Sequence, residues 1–143
     1  MYIVCGTWRD ALGQYLAARF GGRAEFTIDT TYTVIGFISK RIDCIALFTD
    51  YTGSNIELHL VSEGGLNRTI MKTVGNYVFN QLKCNRLTVK TRVSKSAVTD
   101  IYDKVGFKYE ATLKNYYGSN QVEDALQYVL TREDAVKWIK LDG

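Results

Sequence analysis

The stretch that decides the fold begins with IELHLVSEGGLN at residues 56–67 and ends with IYDKVGF at residues 101–107. Near its start, Ile56, Leu58 and Leu60 alternate with polar residues. This alternation is typical of a β-strand with one buried face. A pair of glycines follows, and after them the periodicity becomes helical. We therefore expect a strand, a glycine turn and a long helix in succession.

The residues after the glycine pair predict a β-α-β unit. A helix is expected over 66–82, and Leu87–Val93 has the β-branched composition of a strand. Apolar residues at helical spacing form one stripe of that helix: Ile70, Val74, Tyr77, Val78 and Leu82. Because a helix crosses over between the two strands, they should be parallel neighbours. A second helix should follow from Ser96, with Gly106 just past its end.

The flanking segments predict further strands around this unit. Tyr2–Val4 is expected to form a short strand and Trp8–Phe20 an amphipathic helix. Period-two stretches then predict an antiparallel meander: Glu25–Ile28, Tyr32–Ser39, Cys44–Thr49 and Ile56–Val61. Two more strands are expected after the second helix, Phe107–Leu113 and Ala125–Leu130, joined by a loop that contains Tyr116 and Tyr117. A helix or turn is predicted over Ala135–Leu141.

Composition limits the classes of protein to be considered. With 143 residues, 46% of them hydrophobic, we expect one domain spanning 1–143. The net charge of +3 is compatible with an anionic ligand such as a phosphorylated cofactor. It is far from the strongly basic balance of a dedicated nucleic-acid binder.

Cysteine and histidine usage argues against a metal site. The three cysteines lack CxxC spacing, and His59 is the single histidine. Reduced thiols in a cytoplasmic protein are the expected state. No apolar run reaches the roughly 20 residues of a membrane span, and the N-terminus lacks the pattern of a secretion signal. We therefore expect a cytoplasmic location and no membrane partner.

The glycine junction has the composition of an anion site. A strand that ends in Glu63-Gly64-Gly65 and leads into a helix offers free backbone N–H groups and the positive end of a helix dipole. Such a site suits a pyrophosphate, although a glycine pair between strand and helix is also an ordinary turn.

The order of elements resembles the GNAT superfamily of acetyl-CoA-dependent N-acetyltransferases. The most specific similarity lies in YVFNQL at residues 77–82, NRLT at 85–88 and IYDKVGFKYEA at 101–111. These segments resemble the branch with the ribosomal-protein N-terminal acetyltransferases, and small acetyltransferase-like proteins of bacteriophages. The resemblance implies an α/β fold of the α+β type. Its central sheet would be mixed but mostly antiparallel, with about six to seven strands, helices on both faces and a splay between the fourth and fifth strands.

The resemblance also implies a binding site for acetyl-CoA. The superfamily's pyrophosphate motif, Q/R-x-x-G-x-G/A, falls on residues 62–67, where Gly65 matches but Ser62 and Asn67 depart from it. Arg68 could compensate by contacting phosphate, or it could be a solvated helix residue. Lys95 stands where relatives commonly carry an asparagine. The cofactor-binding residues implied are Val61, Glu63, Gly64, Gly65, Leu66, Asn67, Arg68 and Lys95.

Three residues are implied as catalytic. Tyr102, in the Tyr-x-Lys-x-Gly-Phe stretch, would protonate the departing thiolate of coenzyme A, since a phenol holds its proton at neutral pH. Glu57 would remove a proton from the acceptor amine, directly or through water, with His59 as its partner or a second base. The alternatives are a core tyrosine and the polar face of a half-solvated strand.

Further residues carry weaker expectations. Glu110 is predicted to anchor a loop, and Tyr116 and Tyr117 either shape access for the acceptor or pack beneath their loop. A covalent route through a cysteine would require an activated thiol, and none is paired with the histidine in sequence.

The expected function is direct acetyl transfer from acetyl-CoA to a primary amine in a ternary complex. A protein N-terminus, a lysine and a small amine all remain open as acceptors. The first alternative is a non-catalytic GNAT-fold protein that binds acyl-CoA or a partner, including a viral protein directed at a host factor. The second is an enzyme acting on modified nucleic acid, which the mild charge disfavours. The resemblance also allows a homodimer.

Overall fold

A seven-stranded sheet forms the centre of the computed structural model, which describes residues 2–19, 32–62 and 66–142. The strand order is β1-β2-β3-β4-β5-β7-β6. All neighbouring strands are antiparallel except β4 and β5, which are parallel. The strands are β1 (Tyr2–Val4), β2 (Thr33–Ile38), β3 (Ile42–Thr49), β4 (Asn55–Ser62), β5 (Arg86–Arg92), β6 (Lys108–Tyr117) and β7 (Glu123–Thr131).

Helices cover both faces of the sheet. On one face, a 3₁₀ turn (Gly6–Trp8) leads into α1 (Arg9–Arg19), and Leu12 packs into a small cluster with Tyr32, Val34, Ile45 and Leu47. The other face carries α2 (Arg68–Gly75), its π-helical continuation (Asn76–Gln81), α3 (Ser96–Val105) and a 3₁₀ turn (Asp134–Lys137). The larger core lies on that face and includes Leu58, Val74, Phe79, Leu87 and Val105. Among the described residues, no helix is both long and apolar enough to cross a membrane.

The predicted fold is confirmed: a mixed, mostly antiparallel sheet with helices on both faces. The strand predicted over Glu25–Ile28 lies outside the described residues. The long helix begins at Arg68 and changes to π-helical geometry in its second half, where the Leu82 amide donates to the Tyr77 carbonyl at 2.9 Å. Gly106 ends α3 with a φ of 105°, a left-handed conformation that glycine adopts without steric cost.

The last hairpin differs from its prediction. Tyr116 and Tyr117 do not lie on a loop, because β6 continues to Tyr117, which pairs with Glu123 of β7. The tight turn starts only at Gly118, whose φ is 88°. The sequence pattern hid this extension because the side chains at residues 114–116 are exposed, so polar and apolar residues do not alternate there.

The fourth and fifth strands separate at their carboxyl ends, as predicted. Their parallel pairing runs from Asn55 opposite Arg86 to Leu58 opposite Val89 and goes no further. Beyond this point β4 stays paired with β3 as far as Ser62, and β5 stays paired with β7 as far as Arg92. A wedge therefore opens between the two central strands, with a strand edge on each side.

Candidate active site

Two of the predicted catalytic residues lie side by side at the base of this wedge. The parallel pairing of β4 and β5 ends at Leu58, opposite Val89. Glu57 is the residue before this last pair and lies opposite Thr88, and His59 is the first residue after it. Because successive side chains of a strand alternate between faces, both point to the α1 face, away from Ile56 and Leu58. The Glu57 Oε2 lies 3.8 Å from the His59 Nε2, and the two residues are 7% and 9% exposed.

A lysine that the sequence analysis missed completes the charged group. The Lys90 Nζ lies 2.8 Å from the Glu57 Oε1 and donates a hydrogen bond to the Tyr116 hydroxyl at 3.3 Å. Burial lowers the pKa of Lys90, but the hydrogen bond and charge of Glu57, together with Tyr116, outweigh it and raise that pKa. Lys90 is therefore a cation at neutral pH and compensates the buried carboxylate. Its position in the alternating strand LTVKTR could have indicated that it shares a face with Glu57.

The end of β3 supplies two more partners on the same face. The Thr49 Oγ1 lies 2.9 Å from the His59 Nε2 and donates a hydrogen bond to the Asp50 Oδ2 at 2.9 Å. Thr49 is 2% exposed, whereas Asp50 is exposed to solvent. A line of polar groups thus runs from the buried histidine to the surface.

Tyr102 lies on the opposite face of the sheet. It is 6% exposed, and its ring packs against Phe107 at 5.2 Å and Tyr128 at 6.1 Å between centroids. A core packing role is therefore evident for the ring. Glu57 and Tyr102 therefore lie on opposite faces of the sheet.

The predicted phosphate site is described only in part. Glu63, Gly64 and Gly65 lie outside the described residues. Asn67 is the N-cap of α2, since its Oδ1 accepts a hydrogen bond from the Ile70 amide at 2.9 Å. This capping role explains why a polar residue stands where the superfamily has a small one.

The other implied cofactor residues surround this junction and the start of α3. Val61 is half-buried at the α1-side cluster, and Leu66 packs against the larger core. Arg68 is exposed, and its guanidinium lies 6.0 Å from the Trp138 ring. Lys95 is exposed at the residue preceding α3, and its side chain does not cap that helix.

Glu110 has a structural role that differs from the expected one. Instead of binding backbone amides of a loop, its carboxylate accepts two hydrogen bonds from Arg86 and one, at 2.7 Å, from Gln127. The hydrogen bond from Arg86 is the main cause that holds the pKa of Glu110 below its ordinary value. Glu110 therefore joins β5, β6 and β7 at a distance from the wedge.

The buried cysteines have no nucleophilic character. Burial raises the pKa of Cys44 to about 12 and also raises that of Cys84. Both thiols therefore stay protonated at neutral pH, which argues against a covalent acyl-cysteine route through them. Among the described residues, no cluster of three or more His, Cys, Asp or Glu side chains could hold a metal ion.

Known structures share this architecture. A variant of the spermidine N-acetyltransferase SpeG from Vibrio cholerae superposes with a TM-score of 0.76 at 11% identity, covering 95% of this chain and 98% of that chain. An acetyltransferase of the GNAT family from Bacillus anthracis gives a TM-score of 0.59 at 16% identity, covering 71% of this chain and 66% of that one. The chain therefore has the GNAT fold.

Sequence comparison gives a shorter match. An uncharacterised N-acetyltransferase of Methanocaldococcus jannaschii is 30% identical over 71 residues, or 50% of this chain and 44% of the relative. The chain thus matches less than half of that relative's length. No family model matches the sequence.

Proposed function

We propose that this chain is a GNAT-superfamily N-acetyltransferase that transfers an acetyl group directly from acetyl-CoA to a primary amine. The observation that carries the proposal is the buried Glu57–His59 pair at the base of the wedge between β4 and β5. A base placed where two strands separate can meet an acceptor that enters from the α1 face. The GNAT-fold neighbours and the shorter sequence match to an N-acetyltransferase support this assignment.

The wedge offers a backbone edge for the acetyl-CoA chain. The parallel ladder ends at Leu58, so β4 runs from His59 to Ser62 without β5 beside it in the described part of the chain. Amides on this edge can hold the pantetheine, and an N–H near Val61 can polarise the thioester carbonyl as an oxyanion donor. The pyrophosphate would lie at residues 63–68, at the N-terminus of α2.

In the proposed transfer, one group accepts a proton from the amine and another donates a proton to the leaving thiolate. The amine attacks the thioester carbonyl as Glu57, His59 or a water between them takes the ammonium proton. When the tetrahedral species collapses, the carbon–sulfur bond breaks and Tyr102 gives its hydroxyl proton to the departing thiolate. Lys90 holds Glu57 in place, and its charge must be partly screened or displaced before Glu57 can accept a proton.

Three classes of acceptor should be assayed first. The spermidine acetyltransferases among the structural neighbours suggest a polyamine. The resemblance to ribosomal-protein N-terminal acetyltransferases and to phage proteins suggests a protein N-terminus, and lysine is a third choice. A cytoplasmic location, with reduced cysteines, is part of the same proposal.

The release of free thiol from acetyl-CoA tests the proposal. We expect the rate to rise when an amine acceptor is added and to fall in Glu57→Gln. The Glu110→Gln variant is a matched control, because it removes a carboxylate on the same face that does not contact the Glu57 group. No amine-dependent release with spermidine, lysine or N-terminal peptides would contradict the proposal for those acceptor classes.

Two observations favour a non-catalytic alternative. Glu57 is neutralised by Lys90, and the pyrophosphate motif has Ser62 and the capping Asn67 at two of its defining positions. A GNAT-fold protein that binds acyl-CoA or a protein partner without catalysis would tolerate both features. Binding of acetyl-CoA without turnover of any amine would support this alternative.

A further inference from the structure

Two contacts of the Thr49 hydroxyl at the end of β3 bear on which nitrogen of His59 carries a proton. The Thr49 hydroxyl contacts two groups, the Asp50 Oδ2 and the His59 Nε2, both at 2.9 Å. A hydroxyl has one hydrogen to donate and two lone pairs to accept with. The carboxylate of Asp50 has no hydrogen to donate, so Thr49 must donate to it. The second contact is then a hydrogen bond only if the His59 Nε2 is the donor.

A second contact favours the same tautomer. The Glu57 Oε2 lies 3.8 Å from the same Nε2 atom. An N–H dipole directed between a hydroxyl oxygen and a carboxylate is electrostatically favourable, whereas a bare nitrogen lone pair there would face two electronegative groups. In the part of the chain that the structure describes, the charged and titratable groups near the imidazole include Glu57 from β4, Asp50 beyond Thr49 at the end of β3, and Lys90 from β5, which contacts Glu57 and Tyr116.

We propose that Thr49 and Asp50 are positioning residues that hold neutral His59 in its Nε2–H tautomer, so that Nδ1 is the basic nitrogen. The histidine would then accept a proton only at Nδ1, and the imidazolium formed there could pass the Nε2 proton to Thr49 as Thr49 passes its own to Asp50. One proton enters at Nδ1 and one leaves from Nε2, so the imidazole is left neutral as the Nδ1–H tautomer and Asp50 is left protonated. Asp50 is exposed and would lose its proton to solvent; the Nε2–H tautomer forms again when Nδ1 loses its proton and Nε2 regains one through Thr49. The catalytic consequence rests on the proposed acetyl transfer, but the tautomer does not.

A single histidine makes this proposal directly measurable. Long-range ¹H–¹⁵N correlation spectra of the uniformly ¹⁵N-labelled protein, recorded at a pH where the imidazole is neutral, contain the ring signals of His59 alone. We expect a pyrrole-like shift for Nε2 and a pyridine-like shift for Nδ1. A majority of the Nδ1–H tautomer in the wild-type protein would overturn the proposal.

Three variants separate the hydrogen bond from packing. Thr49→Val keeps the side-chain shape without the hydroxyl, and we expect the ratio of Nδ1–H to Nε2–H tautomer to rise by about fivefold, the effect of one lost hydrogen bond. Thr49→Ser restores the hydroxyl and should restore the wild-type ratio. Asp50 has a positive φ of 56°, which asparagine also adopts readily. In Asp50→Asn the amide can donate to Thr49, so the Thr49 hydroxyl can donate to the His59 Nε2. This variant should therefore also raise the ratio of Nδ1–H to Nε2–H tautomer.

The tautomer ratio is measured without cofactor or acceptor, so its result does not depend on whether the proposed function is correct. An unchanged ratio in both Thr49→Val and Asp50→Asn would overturn the proposal even if the protein proved to be an acetyltransferase. If Thr49→Val does not fold, as judged by circular dichroism, the comparison of wild type, Thr49→Ser and Asp50→Asn decides it alone.

Discussion

The ammonium of Lys90 lies 2.8 Å from the carboxylate of Glu57, on the α1 face of the sheet and just before β4 and β5 separate. Glu57 is 7% exposed, so its charge would be costly there without this partner. The same carboxylate lies 3.8 Å from His59. Stability and proposed catalysis therefore depend on one cluster of side chains, and variants of the cluster should affect the two in different ways.

Glu57→Gln should reduce amine-dependent thiol release by about 10²- to 10⁴-fold, the range for loss of a general base. The amide keeps the side-chain volume but cannot accept the proton. The KM for acetyl-CoA should change little, because the proposed role of Glu57 is toward the acceptor amine. A rate within a factor of two of wild type would remove Glu57 from the mechanism, and Glu110→Gln serves as the matched control.

Lys90→Met should destabilise the fold by about 3 kcal/mol at neutral pH, because it leaves the Glu57 carboxylate buried without its cation. Urea unfolding measures this change. The double variant Lys90→Met/Glu57→Gln should recover most of the loss, since no uncompensated charge remains. Equal stabilities of the single and double variants would show that the ion pair does not determine the effect.

The same ion pair predicts a pH dependence. The folded pKa of Lys90 is raised above its ordinary value of 10.5. Its contribution to stability is therefore fully present below about pH 10 and is lost as the pH rises through the folded pKa. The difference in unfolding free energy between wild type and Lys90→Met should shrink above that pH. A difference that stays constant up to pH 12 would contradict this linkage.

Tyr102→Phe separates the packing of the ring from the chemistry of the hydroxyl. The ring contacts with Phe107 and Tyr128 are retained, so stability should change by less than about 1 kcal/mol. Thiol release should fall by about 10²-fold if the hydroxyl protonates the thiolate. Equal rates for the two proteins would leave Tyr102 with its core role alone.

Asn67 offers a test of the junction before α2. Asn67→Ala removes the cap of α2 and should cost about 1 kcal/mol of stability. Asn67→Asp should keep that stability, since aspartate is an equally good cap, yet weaken acetyl-CoA binding by placing a negative charge beside the proposed pyrophosphate. Unchanged binding in Asn67→Asp would place the pyrophosphate elsewhere.

Much of the fold could be predicted because local patterns agreed with the tertiary arrangement. The alternation of Ile56, Leu58 and Leu60 and the helical stripe after Leu66 predicted the β-α-β unit, and Gly106 predicted the end of α3. The π-helical turn and the length of β6 could not be predicted. Both depend on packing and pairing with distant segments, and neither changes the apolar periodicity.

The candidate site was predictable only in part. Alternation placed Glu57 and His59 on one face, but it could not show that Lys90 contacts Glu57 and that Thr49 contacts His59. Those contacts depend on strand order, which brings β3 and β5 to either side of β4. The role of Asn67 as a helix cap was likewise hidden, because a phosphate-loop position and an N-cap position coincide there.

A calorimetric titration of the whole chain with acetyl-CoA tests the central claim most directly. If the wedge between β4 and β5 is an acetyl-CoA site, the titration should show one site per chain with a dissociation constant between about 1 μM and 1 mM, the usual range for enzyme substrates. Asn67→Asp should weaken that binding, and Glu57→Gln should not. No binding at millimolar acetyl-CoA would contradict the proposed function.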